Sequence, residues 1–290
     1  MKASLNDKLI DTSIVIVVTL ASFLCLVPIL HLAAVSLSSN AAIISNKVTV
    51  FPIEWSTLAY QTVLKDVKMI NSLLFTILLV VVFTVICMVM TICAAYPLTK
   101  KKLKGRDFFL LMILFTMFFS GGLIPEYLLV KSLKLTNTIW ALVLPGMINA
   151  FYLIILKSFF SSIPEELEES ARMDGSSHFG TLFRIVLPLS LPVLATLSLF
   201  YAVGRWNGFM DALFYITNQN LYPIQLKLYQ LVISNQMSDS MATEGMNATA
   251  PIPESLKAAS IMFATVPILM VYPWLQRYFI SGMMIGAVKG

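Results

Sequence analysis

Apolar residues in this chain gather into long runs, and most charged residues lie in the stretches between them. Six runs stand out, at about 14–37, 72–97, 108–129, 138–160, 189–215 and 258–279. A helix rises about 1.5 Å per residue, so each run is long enough to cross a hydrocarbon layer of roughly 30 Å. Lipid offers the backbone no hydrogen-bond partners, which restricts spanning segments to helices or closed barrels. The alternating pattern of a barrel strand is absent. The pattern therefore predicts an all-α polytopic membrane protein with six transmembrane helices. Pro28, Pro145, Pro267 and Pro273 fall inside the runs and predict kinks rather than breaks. Gly121, Gly122 and Pro125 interrupt the third run, as a kink, a close packing contact or a discontinuous helix around a substrate site.

The connections between runs set the orientation. Lys100, Lys101, Lys102, Lys104 and Arg106 form the densest positive cluster, directly after the second run, and the positive-inside rule puts that cluster in the cytoplasm. Alternation then places the amino-terminal stretch 1–13 with Lys2 and Lys8, the loop 161–190 and the tail 280–290 with Lys289 inside, together with Arg277. Segments 38–71 and 216–257 fall outside, where Asn, Pro and mixed polarity predict surface structure rather than spans. The span domain thus covers 14–279. The first run is too long for the apolar core of a signal peptide and is followed by further spans, so it reads as a retained helix. A glycosylation-like triplet at Asn247 reads as chance in a bacterial protein.

Composition agrees with lipid as the solvent, since 58% of the residues are hydrophobic and only 12% charged. The net charge of +5 sits in short loops between spans, which is the membrane pattern and not a nucleic-acid surface. Cys25, Cys87 and Cys93 lie within apolar runs without ligand spacing, and His31 and His178 lack both metal spacing and a paired nucleophile. No metal, cofactor or catalytic site is expected.

The loop 161–190 departs from a simple connection. Pro164 followed by Glu165, Glu166, Glu168 and Glu169 is a helix start, with acids at the positive end of the dipole. Gly175 offers a turn, and Ser176 or Ser177 a cap for a second helix reaching Val186. Pro188 and Pro192 then lead into the fifth run. Helix, glycine turn and helix outside the membrane make a compact unit suited to docking on a soluble partner, although an acidic run by itself is also what a solvated helix face looks like.

Within that unit, Glu169-Ser170-Ala171, three residues, Gly175, nine residues and Ile185-Val186-Leu187-Pro188 resemble the EAA loop of ABC importer permeases, with Ser170 where the family usually has alanine. Six spans with this loop between the fourth and fifth, the Trp206-Asn207 pair and the ending Gly286-Ala287-Val288-Lys289-Gly290 are similar to the carbohydrate-importing branch. The resemblance implies the type I importer permease fold, in the cell membrane of a bacterium. It implies a cytoplasmic ABC ATPase dimer, a second and non-identical permease subunit and an extracytoplasmic solute-binding protein as partners, and a carbohydrate as cargo. Glu168, Glu169, Ser170, Ala171, Asp174, Gly175, Ile185, Leu187 and Pro188 would then meet the ATPase. The chain has no G-x-x-x-x-G-K-[ST] loop, so ATP and magnesium are expected on the partner and this subunit is not itself an enzyme.

Candidates for the sugar path lie in the fourth and fifth runs. Arg205, Trp206, Asn207 and Asp211 fall some 25 Å above Pro188 along a straight helix. They would line a cavity, or form an interfacial belt with a snorkelling arginine. Asn149 and Tyr152 would either meet sugar or bond one helix to another. Gly282 and Gly286 read as part of a flexible cytoplasmic tail. The main rival function is an ion-coupled secondary transporter, which normally needs mid-membrane acids that these runs almost lack. A membrane-embedded enzyme finds no motif to support it.

Overall fold

The computed structural model of the chain describes residues 5–243 and 253–287, and among them it is helical with no strand. The sequon at Asn247 lies outside the described residues. Helices α1 (Leu5–Ser36), α2 (Asn40–Ile44), α3 (Leu58–Lys65) and α4 (Val67–Ala95) come first. Then follow α5 (Arg106–Phe118), α6 (Leu123–Ser132), α7 (Trp140–Val143) and α8 (Ala150–Ser162). The second half holds α9 (Glu165–Met173), α10 (His178–Thr181), α11 (Leu187–Leu189), α12 (Leu191–Asn207), α13 (Met210–Tyr215), α14 (Ile224–Thr243) and α15 (Glu254–Ala287).

Three of these elements are long and apolar enough to cross a membrane: Ile10–Ser36, Val67–Thr99 and Glu254–Val271. They correspond to the first, second and sixth runs. Pro28 and Pro267 sit inside unbroken helices, as a kink-tolerant apolar span allows. The other three runs are not single helices. The third bends by 116° between α5 and α6, with Phe119–Gly122 non-helical and Gly122 at φ +84. That is a broken span or a re-entrant turn, sharper than a kink. In the fourth, Pro145 ends α7 instead of bending it, and helix resumes only at Ala150. The fifth turns by 82° at Ser190 and stops again at Gly208. Counting each bent pair once gives five candidate spans among the described residues.

Segment 216–257, expected to hold surface structure and not a span, contains the 20-residue helix α14, which is not among the candidate spans of the described residues. The stretch with Gly282 and Gly286, expected as a flexible tail, is helical as far as Ala287, the end of α15.

The chain divides into two compact units. In the first, Ala34, Val35, Ala42, Val48 and Ala258 form an apolar cluster. A single bridge joins Ser38 to Trp55, and Ser38 Oγ both donates to Ala34 O and accepts from Ile53 N–H. The second unit, drawn from Asn71–Lys227 and Leu269–Gly290, holds the two regions that concern function. Its fully buried side chains include Leu79, Leu142, Leu153, Leu156 and Leu197, along the facing sides of α4, α7, α8 and α12.

Candidate functional site

The acidic helix α9 forms where the sequence places it. Pro164 stands at its N-cap, and Glu165, Glu166 and Glu168 occupy the first turn, where carboxylates meet the positive end of the helix dipole. The helix ends in a Schellman motif. Gly175 N–H donates to Arg172 O at 3.0 Å and Ser176 N–H to Ala171 O at 2.9 Å, which satisfies carbonyls the helix leaves open. That closure needs a left-handed residue, and Gly175 supplies it at φ +82. Ser177 then caps α10, its Oγ accepting from Gly180 N–H at 3.2 Å. A wide π-helical turn, Leu182–Val186, carries the chain into α11. The turn between the two helices read from the sequence is thus closed by local hydrogen bonds on both sides.

Ala171 is buried where α9 packs inward, whereas Glu169, Ser170, Asp174, Gly175 and Pro188 are exposed and Ile185 and Leu187 half-buried. Glu168 does not belong to the exposed set. It pairs with Lys100, at the end of the second span, and lies in a longer ion pair with Arg172 at 3.6 Å. Lys100 Nζ also lies 4.4 Å from the centre of the Tyr96 ring, whose edge packs against Phe160 at the end of α8. Because α8 leads directly into α9, these contacts close a ring from the two-helix unit to the second span and back. Sequence reading gave Lys100 only an orienting charge and passed over Tyr96 and Phe160. Its partner lies 68 residues away, and no local pattern announces such a pairing.

The second group of candidates surrounds the breaks in the fourth and fifth runs. Arg205 is buried at 7% exposure and does not snorkel. Its guanidinium donates to both carboxylate oxygens of Asp211, to Gly208 O at 3.1 Å and to Leu142 O at 3.1 Å. The physical reason is the backbone. Where α7 and α12 stop inside an apolar region, their last carbonyls lose helical donors, and an unpaired carbonyl there costs several kcal/mol. Arg205 supplies those donors, and Asp211 balances its charge. Gly208 keeps the turn uncrowded, since a Cβ there would stand 3.2 Å from both Arg205 Nη2 and Gly204 O.

Trp206 is buried beside Arg205, so it is not an interfacial belt residue, while Asn207 is exposed and Asp211 half-exposed. Asn149 serves its own helix: its Oδ1 accepts from Tyr152 N–H at 3.1 Å as the cap of α8. Its backbone N–H donates to Tyr201 Oη at 3.2 Å, and Tyr201 shares a 2.8 Å hydrogen bond with Thr91 Oγ1 on α4. The Tyr152 ring meets Tyr201 edge-on at 4.8 Å and Phe200 at 5.7 Å. Tyr201 was not read from the sequence as a candidate, yet it joins α4, the start of α8 and α12.

Comparison with known proteins gives a consistent result. Residues 67–285 match the family described as binding-protein-dependent transport system inner membrane component. Protein LplC of Bacillus subtilis (strain 168) is 46% identical over 267 residues, 91% of this chain and 90% of that protein. The polygalacturonan/rhamnogalacturonan transport system permease protein YtcP of the same organism is 41% identical over 287 residues, 99% of this chain and 100% of its own length. Among solved structures, a chain of a bacterial ABC transporter involved in the import of the acidic polysaccharide alginate superposes with a TM-score of 0.86 at 29% identity. That match covers 96% of this chain and 99% of that one.

Proposed function

The chain belongs to the binding-protein-dependent transport system inner membrane components, and from that premise we propose that it is the permease subunit of an ABC importer for oligosaccharides or polysaccharide fragments. On this reading an extracytoplasmic binding protein delivers the sugar. A second, non-identical permease completes the path, and a cytoplasmic ATPase pair supplies the energy. The amino and carboxyl termini and the unit α9–α11 lie on the cytoplasmic side.

The observation that carries the proposal is the capped two-helix unit tied through Glu168, Lys100 and Tyr96 to the end of a membrane span. A lever has to transmit displacement without unfolding. Here both helix ends are closed by local hydrogen bonds, and the base is fixed by an ion pair to the element it must move. Glu169, Ser170, Asp174 and Gly175 form the exposed edge offered to the ATPase, and Ala171, buried beneath them, holds that edge in register. Along the membrane path, Tyr152, Asn207 and Asp211 keep polar groups at accessible positions. Arg205, Trp206 and Asn149 act as scaffold for the breaks.

The test is reconstitution of the chain with its partner permease, ATPase and binding protein in proteoliposomes. Oligogalacturonides serve as the first cargo, given the whole-length relative that transports polygalacturonan. ATP hydrolysis and uptake should both rise when the loaded binding protein is added. Uptake by this chain alone, driven by an ion gradient and indifferent to ATP, would establish the secondary-transporter alternative instead.

A further inference from the structure

Beside the lever, between the last turns of α4 and α10, lies a cavity of about 430 Å³ that the importer reading leaves unused. Pockets that take small organic ligands run from roughly 300 to 1,000 Å³. The walls of this one are mostly apolar, formed by Cys93, Tyr96 and Pro97 on one side, His178, Phe179 and Leu182 on the other and Leu103 from the connection after α4. Lys100 also lines it but is already held by Glu168. A polar metabolite would find few hydrogen-bonding groups there, so the shape and chemistry favour a hydrocarbon chain.

The mouth has a different character. The apolar span ends at Thr99, and the cavity sits where that span meets the basic connection. Lys100, Lys101 and Arg106 have carboxylate partners. Lys102 and Lys104 are exposed and have no ion pair among the described residues. They are the chain neighbours of Leu103, a wall residue, so uncompensated positive charge adjoins that wall. An apolar cavity at the membrane boundary with two uncompensated cations next to one wall in the chain is complementary to an anionic amphiphile.

We propose that this cavity binds one anionic diacyl phospholipid, with an acyl chain against Cys93, Tyr96 and Phe179 and its phosphate at Lys102 and Lys104. The site rests on the chain spanning a membrane, and not on ATPase docking or on sugar as cargo. Two of its wall residues, Phe179 and Leu182, belong to the second half of the lever, so the charge of the surrounding leaflet becomes an input to the coupling unit.

Cys93 is an exposed free thiol in the wall and therefore a built-in reporter. The full chain with its partner permease is placed in nanodiscs of phosphatidylcholine alone or mixed with phosphatidylglycerol. Maleimide labelling is then followed by site-resolved mass spectrometry, with a cysteine introduced at the exposed Lys47, outside the candidate spans, as the internal reference. Labelling of Cys93 should slow in the anionic discs while the reference cysteine is unaffected. Each lysine is worth about fivefold in affinity for an anionic lipid, so Lys102→Gln with Lys104→Gln should remove that protection by weakening binding on the order of twentyfold. Equal labelling of Cys93 in both lipids overturns the proposal, and so does protection that survives the double substitution. Protection that appears only when the ATPase is added, whatever the lipid, assigns the cavity to a protein interface and overturns it too. Both leaflets of the disc carry the same lipid, so neither an inverted topology nor failure of the importer reading changes the result.

Discussion

Replacing Arg205 with methionine keeps a long apolar stem in place and deletes the guanidinium with its four donated hydrogen bonds. Two consequences follow from the geometry. The Asp211 carboxylate, whose side chain is only 29% exposed, loses its counter-charge, and the carbonyls of Leu142 and Gly208 lose their side-chain donor. Removing one partner of a buried pair costs about 3–5 kcal/mol. Asp211 retains some solvent and a 2.9 Å bond from Ala212 N–H, which places its share at the lower end. The expected loss for Arg205→Met is therefore about 3 kcal/mol. Arg205→Lys keeps the charge, but one ammonium cannot reach Asp211, Gly208 and Leu142 in the planar fork that arginine provides. It should lose about half as much. The assay is equilibrium unfolding in mixed micelles with increasing dodecyl sulfate, followed by tryptophan fluorescence, on Arg205→Met, Asp211→Asn and the double variant. The cycle should return a coupling of about 2 kcal/mol. A loss below about 1 kcal/mol for Arg205→Met, or a coupling near zero, would show that Arg205 does not clamp the breaks and would return it to the group of path-lining residues.

Three other substitutions probe separate joints. At Gly175 the left-handed φ matters and space does not, because an added Cβ meets nothing within 4 Å. Gly175→Asn should therefore keep the ratio of sugar imported to ATP hydrolysed while Gly175→Val lowers it; equal loss in both would move the sensitivity to the partner's surface. Exchanging the charges of Lys100 and Glu168 should restore coupling that either single reversal removes, with about 1–2 kcal/mol between single and double variants in thermal stability, and absence of rescue would discount the tie. Tyr201→Phe removes the bonds to Thr91 and to the Asn149 N–H and should lower stability by about 1–2 kcal/mol, measured by the same unfolding titration; an unchanged midpoint would show that the ring alone joins the three helices.

What sequence could and could not foretell divides along physical lines. The two-helix unit was legible because each signal is local: Pro164 with its acids, Gly175 at the turn, and a serine cap at Ser176 or Ser177, of which the structure uses Ser177, act within one or two helical turns. The first, second and sixth spans were legible because hydropathy reports transfer into lipid, which needs only length and composition. The same measure is blind to backbone continuity. Runs three, four and five are apolar on average, so hydropathy joined helices that Gly122, Pro145 and Gly208 separate. The roles of Arg205 and Lys100 were hidden for another reason. Their acceptors, Leu142 O and Glu168, lie 63 and 68 residues away, and a single sequence carries no mark of which distant carbonyl or carboxylate will arrive.

The breaks also bear on where a sugar would pass. Irregular backbone at membrane depth is tolerated only when buried in protein or facing a watery cavity, since lipid cannot satisfy its polar groups. Two of the breaks meet along α12. Tyr201 reaches the Asn149 cap of α8, and one turn further Arg205 reaches the end of α7. The fourth and fifth runs are therefore interrupted at adjoining places, each interruption held by a dedicated side chain rather than left to solvent. That arrangement fixes polar backbone next to Asn149, Tyr152, Asn207 and Asp211, the four candidates whose side chains are not fully buried. A sugar needs both an aromatic face for its C–H surface and hydrogen-bonding groups for its hydroxyls. An unbroken apolar helix provides neither backbone donors nor acceptors along its length. If the path runs through this chain, it runs beside these interruptions, and the buried Arg205–Asp211 pair is the support that keeps them open.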